Sequence, residues 1–267
     1  MRRFLGLFCL LLLTAALAPV SLAVAADAGP TAVVVLHGKQ GSPDKYVVEL
    51  ATALRAAGFL VAAPEMPWSR HRAYDASYQD AMREIDAVVQ ELRSKGATRV
   101  AVAGHSLGGN AALAYAALHP DLAAVVCLAP GHNPERPRVR DLNTEEVRRA
   151  RELVAAGRSG ESLRFTDTNM GQTFGMVLPA GVFLSYFDPE GLADMPQNAA
   201  ALSPQAPLLW VVGQRDPLAR LGPDYAFARA PANPLSRYVE VDADHLHVPQ
   251  AAAGLVVEWL RGLGATR

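Results

Sequence analysis

Ser106 lies between two glycine residues in the stretch "VAVAGHSLGGNAAL". The stretch runs from a β-branched apolar segment into an alanine-rich one, which predicts a strand, a sharp turn and a helix. Such a turn holds its serine in strained backbone geometry, and Gly104 and Gly108 avoid the clash that larger residues would cause. The hydroxyl then stands clear at the end of the strand, where it can attack an acyl carbonyl. The alternative is that the glycines only pack a helix closely on a strand, or hold a phosphate.

The strands that must position this turn are visible as short apolar segments. They show no polar alternation, which is typical of strands covered on both faces. Helical patterns fill most of the gaps, and two of them end at Gly58 and Gly96. This alternation predicts one α/β domain, with a doubly wound, mostly parallel sheet of about six strands and helices on both faces. The strand segments are 31–38, 58–66, 98–106, 122–130, 206–214 and 236–244.

One gap, between Pro130 and Pro207, is too long for an ordinary connection. It contains a helical pattern at about 144–156 and predicts a cap inserted at about 131–205. An apolar stripe in the cap either forms the wall of an acyl-binding pocket or holds the cap on the core. The candidates for substrate binding in this stripe are Phe174, Phe183 and Tyr186.

Together these features resemble the α/β-hydrolase fold of serine hydrolases, esterase-like or lipase-like, over residues 27–267. The resemblance implies that the nucleophile follows the third core strand, that an acid comes later and that a histidine comes last. It also implies that the backbone N–H groups of Lys39, in "LHGKQG", and Leu107 form an oxyanion hole. His37 is then structural, with its ring satisfied by neighbouring backbone. An ordinary glycine turn is the alternative for "HGKQG".

The resemblance places the acid after the fifth core strand, where "PLLWVVGQRDPL" supplies Asp216. A carboxylate at this position holds an imidazole in the correct tautomer and stabilises the imidazolium that forms during attack. The alternative is that Asp216 only forms a turn before a proline. Three other aspartates are rivals by residue type, but none directly follows a predicted strand: Asp188, Asp194 and Asp224.

Two histidines follow the last predicted strand in "YVEVDADHLHVPQ", and both are within reach of the site. The resemblance favours His245, which follows a small residue and an aspartate. His247 is left to line the pocket or to play a structural part before Pro249. With His245 as the base, the proton of Ser106 passes to its Nε2 as the oxygen attacks, and water then hydrolyses the acyl-enzyme.

The predicted activity is therefore that of a serine hydrolase acting on a carboxylic ester, with a small-molecule acyl substrate. An acyltransferase, a serine peptidase and a non-catalytic binding protein are the alternatives. No cofactor is expected, and the histidine spacing predicts no metal site. Arginines near the predicted mouth either receive a carboxylate-bearing substrate or form a solvated rim. They are Arg70, Arg72, Arg136, Arg138 and Arg140.

The first residues predict a cleaved secretory signal over 1–26, with two arginines before an apolar stretch and "AVA" at 23–25. We therefore expect a periplasmic or secreted protein. An uncleaved anchor is the alternative, and it is the only membrane contact that we expect. The 25 basic and 26 acidic residues give no general attraction to nucleic acid. Cleavage leaves Cys127 as the one thiol, in an apolar run typical of a buried cysteine.

Overall fold

The computed structural model describes residues 30–169 and 172–265. The predicted signal, 1–26, lies outside the described residues. The strands are β1 (Thr31–Leu36), β2 (Leu60–Ala62), β3 (Arg99–His105), β4 (Ala124–Leu128), β5 (Ser162–Asn169), β6 (Gln172–Pro179), β7 (Leu208–Gly213) and β8 (Arg237–Val241). The helices are α1 (Val48–Ala56), α2 (Tyr78–Ser94), α3 (Leu107–Leu118), α4 (Pro137–Ala155), α5 (Ala180–Phe187), α6 (Met195–Ala200), α7 (Val248–Ala251) and α8 (Ala253–Ala265).

The main sheet has six parallel strands in the order β2, β1, β3, β4, β7, β8. Each predicted strand segment contains one of these strands, so the predicted fold class is confirmed. At the carboxyl edge, Leu36 pairs with Gly104 and His105 pairs with Leu128. The loops that leave β1, β3, β4 and β7 therefore begin side by side, and this edge is where polar side chains from distant parts of the chain can meet.

Alternate residues of the strands face opposite layers of the core. Val33 and Val35 pack with α1, α7 and α8, whereas Val34 and Leu36 pack with α2, α3 and the cap. Because both faces are covered, the strands are apolar at almost every position. None of the helices in the described part of the chain combines the length and the apolarity that crossing a membrane requires.

Helix α2 shows how local sequence signals set the limits of an element. Ser77 caps the helix by accepting from the backbone N–H of Asp80, and the Asp80 carboxylate accepts from the N–H of Ser77. Buried residues then recur at helical spacing along one face. The helix ends before Gly96, whose φ of 96° suits glycine far better than other residues.

The segment between β4 and β7 contains α4, the antiparallel hairpin β5–β6, α5 and α6. The helix predicted at about 144–156 is longer than expected, since it begins at Pro137. The hairpin was not predicted, although its strands alternate: Phe165, Met176 and Leu178 are buried, and Thr166 and Val177 between them are exposed. The buried residues of this hairpin therefore lie on one face, against the domain, whereas Val177 is an exposed apolar residue on the other face.

Candidate active site

Ser106 occupies the turn between β3 and α3, with φ of 54° and ψ of −120°. A side chain at Gly104 would place its Cβ 2.0 Å from the carbonyl oxygen of Gly108, and one at Gly108 would lie 2.5 Å from that of Leu36. Neither position has room for another residue, because the neighbouring atoms belong to the backbone. The sequence places Ser106 in this strained geometry by making both flanking positions glycine.

Ser106, His245 and Asp216 come together in a hydrogen-bonded line at the carboxyl edge of the sheet. The Ser106 Oγ lies 3.0 Å from Nε2 of His245, and Nδ1 of His245 lies 2.6 Å from Oδ2 of Asp216. Asp216 is only 4% exposed and His245 only 7% exposed. The other Asp216 oxygen accepts from the backbone N–H of Leu218 at 2.8 Å, which fixes the carboxylate.

This arrangement sets the tautomer of His245. Because the Asp216 carboxylate accepts hydrogen bonds, Nδ1 carries the proton and Nε2 presents a lone pair to the Ser106 hydroxyl. The imidazole is therefore placed to remove the proton of the serine, and the carboxylate is placed to stabilise the imidazolium that results.

Two backbone N–H groups near Ser106 are available to a ligand. Among the described residues, the N–H groups of Lys39 and Leu107 donate to no protein acceptor. Leu107 is the first residue of α3, where the helix dipole also favours negative charge. Gly131 leaves space in front of the serine, since a Cβ there would lie 3.1 Å from the Ser106 Oγ.

The loop after β1 is tied to the cap by a buried ion pair. Lys39 donates from Nζ to both carboxylate oxygens of Asp167, on β5, at 2.9 and 2.7 Å. The two side chains are 7% and 3% exposed. The ammonium also lies 5.5 Å from the centre of the Phe187 ring. The cap therefore contacts Lys39, one of the two predicted oxyanion donors, and the sequence did not reveal this link.

The family model Hydrolase_4, described as serine aminopeptidase, S33, matches residues 29–166, which is more than half of the chain. The chain belongs to this family of α/β-hydrolases. No curated protein matches the sequence of this hydrolase.

Solved structures share the fold of this hydrolase at low sequence identity. The monoacylglycerol lipase of Paleococcus ferrophilus is 23% identical with a TM-score of 0.63, over 88% of this chain and 96% of that one. Est1E of Butyrivibrio proteoclasticus, solved with ferulic acid, is 19% identical with a TM-score of 0.62, over 89% and 90%. A carboxyl esterase of Bacillus coagulans is 14% identical with a TM-score of 0.61, over 88% and 90%.

The structure distinguishes the two histidines that the sequence left open. His247 is 57% exposed and its Nδ1 lies 2.7 Å from the carboxylate of Asp244. It also makes an edge contact with Tyr46. Only His245 lies within hydrogen-bond distance of Ser106.

Two further histidines of the hydrolase form hydrogen bonds to backbone groups around the site. His105 donates from Nε2 to the backbone carbonyl of His245 at 2.8 Å, and its burial lowers its pKa to about 4. It is therefore neutral at neutral pH and anchors the loop that carries the base. The ring of His37 accepts from the N–H of Met66 and contacts the carbonyl of Gly38, as expected of a structural histidine.

The other aspartates and the arginines take different roles. Asp188 pairs with Arg151, Asp194 caps α6, and Asp224 is exposed. Arg72 is held by Glu84 and by Asp75, so it is not free to bind a substrate. Arg138 and Arg140 are exposed on α4 and Arg136 is half-buried at its start, whereas Arg70 lies beside a cavity under the hairpin.

The cap aromatics divide between the core and this cavity. Phe183 is fully buried and stacks on Phe165, with 3.9 Å between ring centres. Tyr186 is also fully buried, against Tyr74 and Tyr78. These two residues therefore hold the cap on the core and do not line a substrate pocket. Phe174 alone of the three lines the cavity.

Among the described residues there is neither an accessible thiol nor a cluster of metal-ligating side chains. Cys127 is buried, and its burial raises the pKa of its thiol, which keeps it protonated. In the described part of the chain, no group of three histidine, cysteine or acidic side chains is placed to hold a metal.

Asn110 is a structural residue of the site that the sequence reasoning missed. From α3 it accepts from the Tyr78 hydroxyl at 2.6 Å and donates to the carbonyls of His132 and Ala193. It thus joins α3 to α2, to the start of the cap and to the segment just before α6. An asparagine within "GGNAALAYAAL" was the available signal, since a polar residue buried in such a helix needs partners.

Glu135, in the loop after β4, has a carboxyl group whose ionisation is suppressed. Burial raises its pKa to about 7, although the Tyr225 hydroxyl donates to its Oε1. Its Oε2 is buried and has no hydrogen-bond partner among the described residues. The hydrolase therefore carries an acid that titrates near neutral pH.

We expect Glu135→Gln to stabilise the protein more at pH 8 than at pH 4.5. The unfolded chain loses this proton near the ordinary pKa of 4.5 and the folded chain only near 7, so wild-type stability falls as the pH rises across that window. Glutamine removes this term, which is worth roughly 2–3 kcal/mol. Urea unfolding at both pH values measures it, with Glu258→Gln on the exposed side of α8 as the control. An equal effect of Glu135→Gln at both pH values would contradict the expectation.

Proposed function

We propose that this hydrolase cleaves carboxylic esters, with Ser106 as nucleophile, His245 as general base and Asp216 as the carboxylate that orients the base. The observation that carries the proposal is the line of two short hydrogen bonds, 3.0 Å from Ser106 to His245 and 2.6 Å from His245 to Asp216. A buried aspartate and histidine aligned on a strained serine are what nucleophilic catalysis requires.

The first chemical step forms an acyl-enzyme. As the Ser106 oxygen bonds to the ester carbonyl carbon, its proton passes to Nε2 of His245. The carbonyl oxygen becomes negatively charged, and in this proposal the N–H groups of Lys39 and Leu107 donate to it. A donor of this kind lowers the barrier by about 3 kcal/mol. When the tetrahedral species collapses, the alkoxide leaving group takes the proton from the imidazolium.

The second step uses water in place of the alcohol. His245 removes a proton from water as the water oxygen attacks the acyl carbon, and the same backbone donors face the second oxyanion. Collapse breaks the bond to Ser106, whose oxygen recovers a proton from His245. The carboxylic acid leaves and the enzyme returns to its starting state.

An aminopeptidase is the second candidate, because the matching family model carries that description. An aminopeptidase must bind the ammonium group of a peptide N-terminus, which calls for carboxylates beside the site. The cavity next to Lys39 contains the cationic Lys45 and Arg70 and, among the described residues, no acidic side chain. Asp167, behind it, is already paired with Lys39. This charge distribution favours the esterase.

A labelling experiment and a substrate panel test the proposal together. A tagged fluorophosphonate, which reacts covalently with activated serines, is expected to modify the peptide that contains Ser106, and Ser106→Ala is expected to lose the label. The enzyme should hydrolyse 4-nitrophenyl esters and leave aminoacyl 4-nitroanilides intact. Labelling at another residue would refute the assignment of the nucleophile. Faster cleavage of the anilides than of the esters would establish the aminopeptidase instead.

A further inference from the structure

A cavity of about 540 Å³ opens between the β5–β6 hairpin and the loops that follow β1 and β2. Lys39, whose backbone N–H we propose as an oxyanion donor, lies in its wall, and so does Leu246, which directly follows His245 in the chain. Phe174, Met176 and Leu178 of the hairpin supply an apolar side. Ser106 itself does not line the cavity, but the cavity adjoins the loop after β1 and the loop that carries His245.

Two cationic side chains in this wall have no ion-pair partner among the described residues. Lys45 and Arg70 are both exposed, and Lys45 lies over the ring of Tyr46. The acidic neighbour along the chain, Asp44, is fully exposed and accepts a hydrogen bond from Ser42. The third cation of the wall, Lys39, is neutralised by Asp167. Two positive charges thus remain available to a ligand.

Tyr74 also lines this wall, but its hydroxyl oxygen is buried and does not open on the cavity. Its side chain is 4% exposed, and its hydroxyl has no hydrogen-bond partner within the described residues. Burial and the nearby Asp167 carboxylate raise its pKa, so the hydroxyl keeps its proton. An unpaired buried hydroxyl costs stability unless water satisfies it.

The backbone around the cavity is held in unfavourable conformations. Seven non-glycine residues of the described chain have positive φ, and four of them line the cavity: Gln40, Tyr46, Ala73 and Tyr74. The other three, Ser106, Ala129 and His132, lie at or beside the catalytic turn. Backbone strain of this kind often occurs at functional sites, where the surrounding structure fixes it. The cavity and the active site therefore share non-glycine residues with positive φ.

We propose that this cavity binds an anionic group of the substrate, and that the preferred substrates are esters carrying a free carboxylate. The proposal rests on the esterase function given above and names its substrate class. Lys45 and Arg70, which are exposed on the cavity wall, supply the opposite charge. A neutral polar ligand such as a sugar also needs acceptors, and the cavity offers no carboxylate for that purpose.

Matched ester pairs test the preference. One pair is 4-nitrophenyl hydrogen adipate and 4-nitrophenyl methyl adipate, which differ only in whether the distal carboxyl group is free. A second pair carries the carboxylate on the alcohol side: the butyryl ester of 4-hydroxyphenylacetic acid and that of its methyl ester. The measured quantity is the ratio of kcat/KM for the charged ester to kcat/KM for the neutral one, which cancels general losses of activity.

We expect this ratio to exceed 1 for at least one pair in the wild-type enzyme. It should fall by about threefold to fivefold in Lys45→Gln and in Arg70→Gln. Raising the salt concentration from 0.05 M to 0.5 M should also lower the ratio, because the cations are exposed and are screened. Lys95→Gln and Arg55→Gln remove exposed cations at the opposite edge of the sheet and should leave the ratio unchanged.

The outcomes separate this inference from the proposed function. If both members of each pair are hydrolysed with equal kcat/KM, or if the ratio is the same in the two cavity variants as in the two controls, the anionic subsite is wrong and the esterase stands. If no ester is hydrolysed and Ser106 is not labelled, the esterase and its subsite both fail.

Discussion

Replacing His245 by alanine is expected to lower kcat for an ester by about 10⁴-fold or more, whereas His247→Ala should change it by less than about threefold. His245 alone lies 3.0 Å from the Ser106 hydroxyl, and its Nδ1 is held by Asp216. His247 is exposed and paired with Asp244. Without the imidazole, the serine proton has no base to accept it, and the hydroxyl is a poor nucleophile at neutral pH.

His245→Ala and His247→Ala form a matched pair, because the two positions are two residues apart and each substitution removes an imidazole. Steady-state kinetics with 4-nitrophenyl butyrate measures kcat, and the rate of fluorophosphonate labelling reports on serine activation without substrate binding. Thermal unfolding of both variants shows whether either loss is structural. A larger loss of kcat in His247→Ala than in His245→Ala would make the assignment of the base wrong.

The three residues of the hydrogen-bonded line were predictable because each follows a strand. The apolar runs ending near Gly104, Gly213 and Val241 predict parallel strands, and the carboxyl ends of parallel strands meet at one edge. The location of a residue just after a strand therefore predicts its location at this edge of the sheet. The oxyanion donors were predicted from the resemblance to α/β-hydrolases instead: Lys39 lies in the loop after β1, and Leu107 is the first residue of α3.

The contacts that stabilise the site were not predictable in this way. His105 reaches the carbonyl of His245, 140 residues away, and Lys39 reaches Asp167, 128 residues away. Both depend on how loops dock on one another after the sheet forms. Nothing in the types or spacing of these residues specifies a partner, since lysine and aspartate at a surface are usually solvated.

The cap shows a second limit of sequence reasoning. Its aromatic residues indicate an apolar face but not what that face covers. Phe183 and Phe174 are nine positions apart in one apolar stretch. Phe183 is sealed between Phe165 and Phe187, whereas Phe174 lies on the hairpin beside the cavity. The difference arises because the chain turns from strand β6 into helix α5 at Ala180, which changes the periodicity between the two residues.

The buried ion pair between Lys39 and Asp167 connects the cap to the loop after β1. Asp167→Ala is expected to lower the free energy of unfolding by about 3–5 kcal/mol, because the Lys39 ammonium, 7% exposed, is left without its counter-charge. Asp167→Ala should also lower kcat, since we propose that the backbone N–H of Lys39 donates to the oxyanion. Urea unfolding and ester kinetics measure the two effects.

A control ion pair and a double variant separate the effect of leaving a buried charge unpaired from the effect of losing a contact. Glu91→Ala breaks the ion pair with Lys95, in which both side chains are about 60% exposed, and should cost less than about 1 kcal/mol. Lys39→Met combined with Asp167→Leu removes both charges and should be more stable than Asp167→Ala alone. If Asp167→Ala proves no more destabilising than Glu91→Ala, the ion pair between Lys39 and Asp167 does not hold the cap on the loop after β1. If the double variant is stable but still slow, the charges are needed to place the Lys39 N–H and not only to stabilise the fold.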